Sequence, residues 1–299
     1  MKFYYSDHFP IPLPEGHRFP AKKYESLRLC LIEEGILSRD HLFESPIADE
    51  ETLLVAHSKE YIEKIKTGNL TRTEQNRIGF PWSEDLVKRV CATVGGTVEA
   101  AKTALDIGFS GQLAGGTHHA HRDFGAGYCV FNDQAIAALV MLNEGLVDRV
   151  SVLDVDVHQG DGTAAILANE PRVQVISLHG EKNFPFRKYP SDCDFPLPDK
   201  MEDDDYLEVL SEALEVLGSF NPDLVLYQGG VDALIDDSIG RLNLSFEGMF
   251  LRDLTSFEYF KSRDIPVALA LGGGYSKPID ATVKANVGTY RALKKVFFE

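Results

Sequence analysis

The 299-residue sequence predicts an α/β protein built as a three-layer α/β/α sandwich around a central, mainly parallel sheet. Apolar runs recur at residues 113–114, 150–157, 173–178, 224–227 and 267–271, most without polar alternation, as in strands buried on both faces. Helical periodicity fills the gaps at 133–142, 205–217, 246–260 and 281–297. Each apolar run is followed at once by glycines or reactive side chains: Gly115 to His119, the acidic cluster from Asp154, Ser177 to His179, Gln228 to Asp232, and Gly272 to Tyr275. In open parallel sheets the ligand site lies beyond the carboxyl ends of the strands, so these five segments are expected on one rim.

The amino-terminal part reads in order as follows. Residues 2–5 form a short strand, and the prolines of 10–17 impose a loop. Residues 24–35 carry helical spacing at Leu27, Leu31 and Ile32 and stop at Gly35. A second helix begins at 57–62, and the polar, aperiodic stretch 68–82 is expected to be a rim loop. Ser83 then opens a long helix whose buried stripe is Leu86, Val90, Val94, Val98 and Ala101. With no second composition regime, linker or repeat, residues 1–299 are expected to form a single domain.

Hydrophobic and charged contents of 44% and 25% are those of a soluble globular chain. A formal net charge of −16 argues against nucleic-acid and anionic-membrane binding and would mildly attract a cationic tail or polyamine, although solubility accounts for it equally well. The start lacks the apolar core of a secretory signal and no run is long enough to span a membrane, so a cytoplasmic protein is expected. Cys30, Cys91, Cys129 and Cys193 are too scattered for a disulfide framework or thiolate zinc site. Oligomeric state leaves no mark on the sequence.

The chemistry concentrates in residues 154–162. In extended backbone, side chains two apart share a face, so Asp154, Asp156 and His158 point toward one volume, and Asp161 returns there across a turn at Gly160 and Gly162. Carboxylates this close repel unless a cation or histidines balance them. Asp156, His158 and Asp232 supply the three ligands a catalytic zinc commonly takes, and the oxygen-rich set also admits Fe2+ or Mn2+. His118 and His119 remain, with Asp154 and Asp161 to stand behind them, giving a general base and a general acid. Tyr275, after three glycines that let backbone approach a substrate, is either an oxyanion donor or a partly buried aromatic. The other histidines, His8, His17, His41, His57, His121 and His179, are expected to be surface or structural.

With these motifs in order between residues 115 and 276, joined by Gly127 to Cys129 and by Asn132 with Asp133, the chain resembles the histone deacetylase family, whose fold is shared with the arginases. The resemblance implies an arginase/deacetylase-like fold and a zinc-dependent hydrolase acting on acylated lysine in proteins or on a small acylated amine such as an acetylpolyamine. It implies Asp156, His158 and Asp232 as zinc ligands, His118 and His119 as the acid/base pair oriented by Asp154 and Asp161, and Tyr275 at the acyl oxygen. Gly127, Tyr128, Phe186 and Gly273 would border the substrate, Phe186 being placed by offset from Ser177 with Phe184 two residues away. A structural K+ or Na+ would lie near Asp154, Ser177, Leu178 and the His158 backbone. The run 237–245 is most similar to the class IV branch and its bacterial relatives, while His17 to Pro20 departs from the family's usual His-Pro-Glu-Arg, and no aspartate marks the rim at 77–82. An arginase-like ureohydrolase and a non-catalytic acyl-lysine binding module are the remaining alternatives.

Overall fold

A computed structural model describes residues 1–298; the last residue of the expected 1–299 domain lies outside the described residues. Eight strands, β1 (Phe3–Tyr5), β2 (Leu42–Glu44), β3 (Phe109–Gln112), β4 (Val150–Asp154), β5 (Val173–Gly180), β6 (Cys193–Leu197), β7 (Leu224–Gln228) and β8 (Val267–Ala270), form one sheet in the order β2-β1-β3-β8-β7-β4-β5-β6. All of the pairings are parallel. The α-helices among the described residues are α1 (Lys23–Glu33), α2 (Glu50–Leu54), α3 (Lys59–Thr67), α4 (Arg72–Ile78), α5 (Glu84–Ile107), α6 (Asp133–Asn143), α7 (Asp161–Leu167), α8 (Asp203–Phe220), α9 (Phe246–Ser262) and α10 (Asp280–Phe297). Packing groups α5, α6 and α7 on one face of the sheet and α1, α8, α9 and α10 on the other, which is the three-layer arrangement the apolar runs imply.

The central strands β4, β7 and β8 are buried at every position, so each presents apolar side chains to both helical layers. Their register sets the level at which the site begins. Gln112, Ala270, Gln228, Asp154 and Ser177 lie side by side across β3, β8, β7, β4 and β5. From β4 the chain winds outward to β5 and β6, then returns through α8 to the other side of β4 as β7. That reversal leaves a crevice between the ends of β4 and β7, the switch point at which doubly wound sheets bind ligands.

Three sequence expectations need correction. Residues 68–82 contain α4, opened by a reciprocal capping box between Thr71 and Glu74 and closed by Gly79 in the left-handed conformation. The third strand ends at Gln112, before the apolar pair Leu113 and Ala114. Asp161 is the first residue of α7 rather than part of a sharp turn, and Gly160, at φ −74°, caps that helix without entering the left-handed region. Gly162 is instead a close-packing position, where a Cβ would run into the Ala120 carbonyl. Among the described residues, no helix is long and apolar enough to cross a membrane.

Candidate active site

The loop leaving β4 turns back on its own carboxylates. Asp154 Oδ1 accepts the Asp156 N–H at 3.1 Å, and Asp156 Oδ1 accepts the His158 N–H at 3.0 Å. From β7, Asp232 accepts the Val157 N–H at 2.9 Å, locking the two loops together across the switch point. Beneath them the buried guanidinium of Arg252 on α9 donates to the carbonyls of Val155 at 3.2 Å and Gly230 at 2.7 Å, one on each loop. Its neighbour Asp253 accepts from Arg252 Nε, the Tyr227 hydroxyl and the Thr289 hydroxyl.

These constraints bring Asp156, His158 and Asp232 together, all buried, with one ligand atom from each within 4.8 Å of the others. His158 Nδ1 lies 3.0 Å from Asp156 Oδ1 and 3.1 Å from Asp232 Oδ2. Two buried carboxylates facing one another need positive charge between them. Although burial opposes it, the pull of Asp232 and Asp156 lifts the His158 pKa to about 10, so the imidazole proton supplies that charge. Burial and the charge of Asp156 meanwhile push the Asp232 carboxyl above the usual carboxylate range. A divalent cation held by the same three donors would balance both carboxylates at once, so the donor set fits zinc or Fe2+.

His118 and His119 stand beside this cluster with ring centroids 4.1 Å apart. Each has its own carboxylate: His118 Nδ1 is 2.7 Å from Asp154 Oδ2, and His119 Nδ1 is 2.7 Å from Asp161 Oδ1. Burial acts against protonation of both, but Asp154 and Asp156 overcome it at His118 and raise its pKa to about 9. At His119 burial wins, reinforced by the charge of His118, and the pKa falls to about 4. One backed imidazole is thus held protonated and its neighbour neutral. Their loop is held by Asp133, which accepts the Gly116 and Thr117 N–H groups at 3.0 and 2.7 Å, while Asn132 donates to the Ala120 carbonyl at 3.1 Å.

His118, His119, Asp156 and His158 line the floor of a cavity of about 1180 Å³, with Asp154, Asp161 and Asp232 behind them. Tyr275 is half-buried in its wall, and burial raises its phenol well above the usual pKa, keeping the hydroxyl a donor. Tyr128, at φ 66°, is held by its N–H to Ile78 O at 2.7 Å, and Gly127 donates to Arg77 O at 3.1 Å, so the missed helix α4 carries this wall. Phe184 and Phe186 do not share one role. The Phe184 ring meets His119 edge to face at 4.8 Å, whereas Phe186 is 91% exposed and touches Phe184 from outside. Gly273 lines the cavity, yet its close approach is to the carboxylates: it donates to Asp156 Oδ2 at 2.7 Å, and a Cβ there would strike Asp232.

Three further residues belong to the site's framework. His121 shares Asp161 with His119, at 3.1 Å, and the two imidazoles draw that carboxyl below its usual range despite burial. Lys23 is buried, donates to Gly272 O at 3.0 Å and stands 5.3 Å from the Tyr275 ring. Arg252 could have been suspected from its place beside Asp253 in an otherwise amphipathic helical stretch. His57 is structural as expected, with its Nδ1 3.0 Å from the His121 carbonyl and its Nε2 accepting the Asn132 N–H at 2.9 Å.

The architecture is thus that of a parallel α/β protein with an Asp–His–Asp ligand set and a carboxylate-backed histidine pair at its switch point. The chain belongs to the histone deacetylase family: residues 17–289 match the histone deacetylase domain. It is 39% identical over 294 residues to an uncharacterized protein of Picosynechococcus sp., covering 98% of each chain. To histone deacetylase 2 of Arabidopsis thaliana it is 31% identical over 273 residues, 87% of this chain and 70% of the relative. A solved HDAC homologue complexed with SAHA shares the fold, with a TM-score of 0.82 at 23% identity over 98% of this chain and 83% of that one.

Proposed function

We propose that the protein is a zinc-dependent amidohydrolase that removes acetyl or longer acyl groups from the side-chain amine of lysine in proteins, with residues 1–299 acting as one catalytic domain. The carrying observation is that two adjacent imidazoles, each backed by its own carboxylate, stand beside an Asp–His–Asp ligand set. A binder of acyl-lysine has no use for an oriented acid/base pair, and urea release from arginine has none for a phenol such as Tyr275.

Asp156, His158 and Asp232 would hold the zinc, with Fe2+ compatible with the same donors. When bound, the metal polarises the amide carbonyl and lowers the pKa of water. Asp154 and Asp161 fix the tautomers of His118 and His119, so that one imidazole takes a proton from water and the other delivers a proton to the departing amine. The Tyr275 hydroxyl donates to the oxygen that becomes negative as the tetrahedral centre forms. Tyr128 with Gly127 on one side and Phe184 on the other flank the methylene stem and exclude water, while Phe186 remains at the outer edge. A K+ or Na+ near Asp154, Ser177 and Leu178 and a cytoplasmic location complete the reading.

The test is mass-spectrometric detection of deacylation by zinc-loaded protein on one lysine peptide carrying acetyl, butyryl, octanoyl or myristoyl groups, with a chelator control. Chelator-sensitive cleavage establishes the lysine deacylase, and the chain-length profile reports the depth of the cavity. Cleavage of acetylpolyamines alone moves the substrate to small amides. Tight acyl-lysine binding without any turnover overturns the enzyme.

A further inference from the structure

The protein carries a net charge of −16, yet the open end of its cavity is cationic. Arg18, Arg77, Lys182, Arg241 and Lys277 are exposed and line it, coming from five separate segments of the chain. Among the described residues, the only carboxylate in the lining is Asp156, at the floor. Lys182 and Arg241 share one surface partner, Asp199, at 3.6 and 3.2 Å. Arg77 rests on the Phe124 ring at 4.6 Å, and no carboxylate pairs with Arg18, Arg77 or Lys277 among the described residues.

Such a distribution opposes chance. Carboxylates stand nearby, Asp199 beside Lys182 and Arg241 and Asp237 on the Tyr275 N–H, yet Arg18, Arg77 and Lys277 have no acidic partner among the described residues, so the field at the opening is expected to be more positive than over the rest of the surface, drawing anions and repelling cations there. The cations stand at the mouth, on the side of the departing amine. The floor, by contrast, holds the Asp156 carboxylate, with Asp154 and Asp232 buried behind it, and aromatic walls, which do not suit an anionic acyl tail. The charge that the mouth selects therefore lies beyond the amine stem, in the substance to which the amine belongs. Five cations spread over five segments exceed what the single carboxylate of a free amino acid can meet. Resting on the deacylase reading above, we propose that the preferred substrate is an acyl-lysine set in an acidic polypeptide segment, with Asp or Glu on both sides, and that acetylpolyamines and lysines in basic tails are disfavoured by the same field.

Two octanoyl-lysine peptides of equal length test this, one flanked by Asp and Glu, the other by Lys and Arg. Binding to the zinc-loaded full chain is read by fluorescence anisotropy and turnover by mass spectrometry. The acidic peptide is expected to bind, and to be cleaved by kcat/KM, about tenfold or more better at low ionic strength, with the preference fading toward 1 M salt as screening shortens to about 3 Å. The double variant Arg77→Glu, Lys277→Glu should erase or invert the ratio. Lys102→Glu on α5, which breaks only a surface pair with Glu144 at the end of α6, should leave the ratio unchanged. Equal or reversed affinities in the wild-type protein overturn the proposal while leaving the deacylase standing. Because anisotropy needs no turnover, the preference is still measured if neither peptide is cleaved, and that result would count against the deacylase alone.

Discussion

The floor and the mouth of the cavity are built on opposite principles. At the floor, the reactive side chains are buried, and Asp154, Asp156, Asp161 and Asp232 each accept defined hydrogen bonds. At the mouth, Arg18, Arg77 and Lys277 stand exposed on loops and helix ends without a carboxylate partner among the described residues, Arg77 resting on the Phe124 ring. Buried polar groups cost stability unless fully partnered, so a floor of this kind admits few arrangements. Surface charges cost little wherever they sit, so a mouth can change without disturbing what lies beneath it. Chemistry is thereby fixed in one region and selectivity left adjustable in another.

Variants sharpen this contrast. Asp232→Asn should have the largest effect, lowering zinc retention on dialysis by more than the roughly 10–100-fold that loss of an outer partner costs, with activity falling in parallel. Metal content by mass spectrometry checks it, and full occupancy would remove Asp232 from the ligand set. Arg252→Met strips the tie beneath both loops and leaves Asp253 buried without its cation, an expected loss of about 3–5 kcal/mol in urea unfolding. The companion Arg252→Met, Asp253→Asn should recover part of that stability, and a wild-type midpoint in the single variant would contradict the tie. Tyr275→Phe should reduce kcat by about 10²–10³ with KM nearly unchanged, and near-full turnover would make Tyr275 a wall and nothing more.

Acid should loosen the scaffold behind the floor through His57, whose pKa burial lowers to about 4. The unfolded chain takes up that proton near pH 6.5, so the contribution of His57 is present above 6.5 and is lost at about 1.4 kcal/mol per unit as pH falls toward 4. In urea titrations across this window His57→Gln, which keeps one donor and one acceptor, should show a shallower decline than wild type; identical slopes would disprove it. The smallest effect belongs to the mouth. Phe186→Ala should change stability and kcat/KM by no more than about 0.5 kcal/mol, whereas Phe184→Ala should raise KM clearly more, and the reverse order would exchange their places in the wall.

The same contrast decided what could be read in the sequence. The cluster at 154–161 was legible because its residues are close in sequence at a strand end, although a loop closed by the Asp154 and Asp156 carboxylates, rather than extended backbone, gathers Asp156 and His158, and α7 supplies Asp161. Asp232 was legible because the glycines before it and the apolar run before those mark another strand end. The aromatic wall was harder, since Phe184 and Phe186 share that same two-residue spacing and only the chain's exit from β5 decides which turns inward. Helix α4 buries Ile78 alone and so has no apolar period, although the Thr71 to Glu74 pair announced its start. Strand β6 was hidden by its position, because an edge strand tolerates Pro196 and leaves most of its residues half exposed. Lys23 and Arg252 act on carbonyls far away in sequence, so their partners were not legible, although the Arg252–Asp253 pair itself was visible in the sequence.

The row that joins Asp154 to Gln228 and Ser177 also bears on how such a protein can diverge. One residue inserted within β4 would turn the strand's following side chains to the opposite face, sending Asp154 away from His118 and displacing the loop that carries Asp156 and His158 in a single step. An insertion of the same size between Phe186 and Lys188, where Phe186 stands exposed, would move the lip of the opening and leave the strand ends in place. Gain and loss of loop residues can therefore retune what enters while the strand lengths stay frozen, and a lineage built on this sheet would be expected to record its history of substrates in the lengths of its loops.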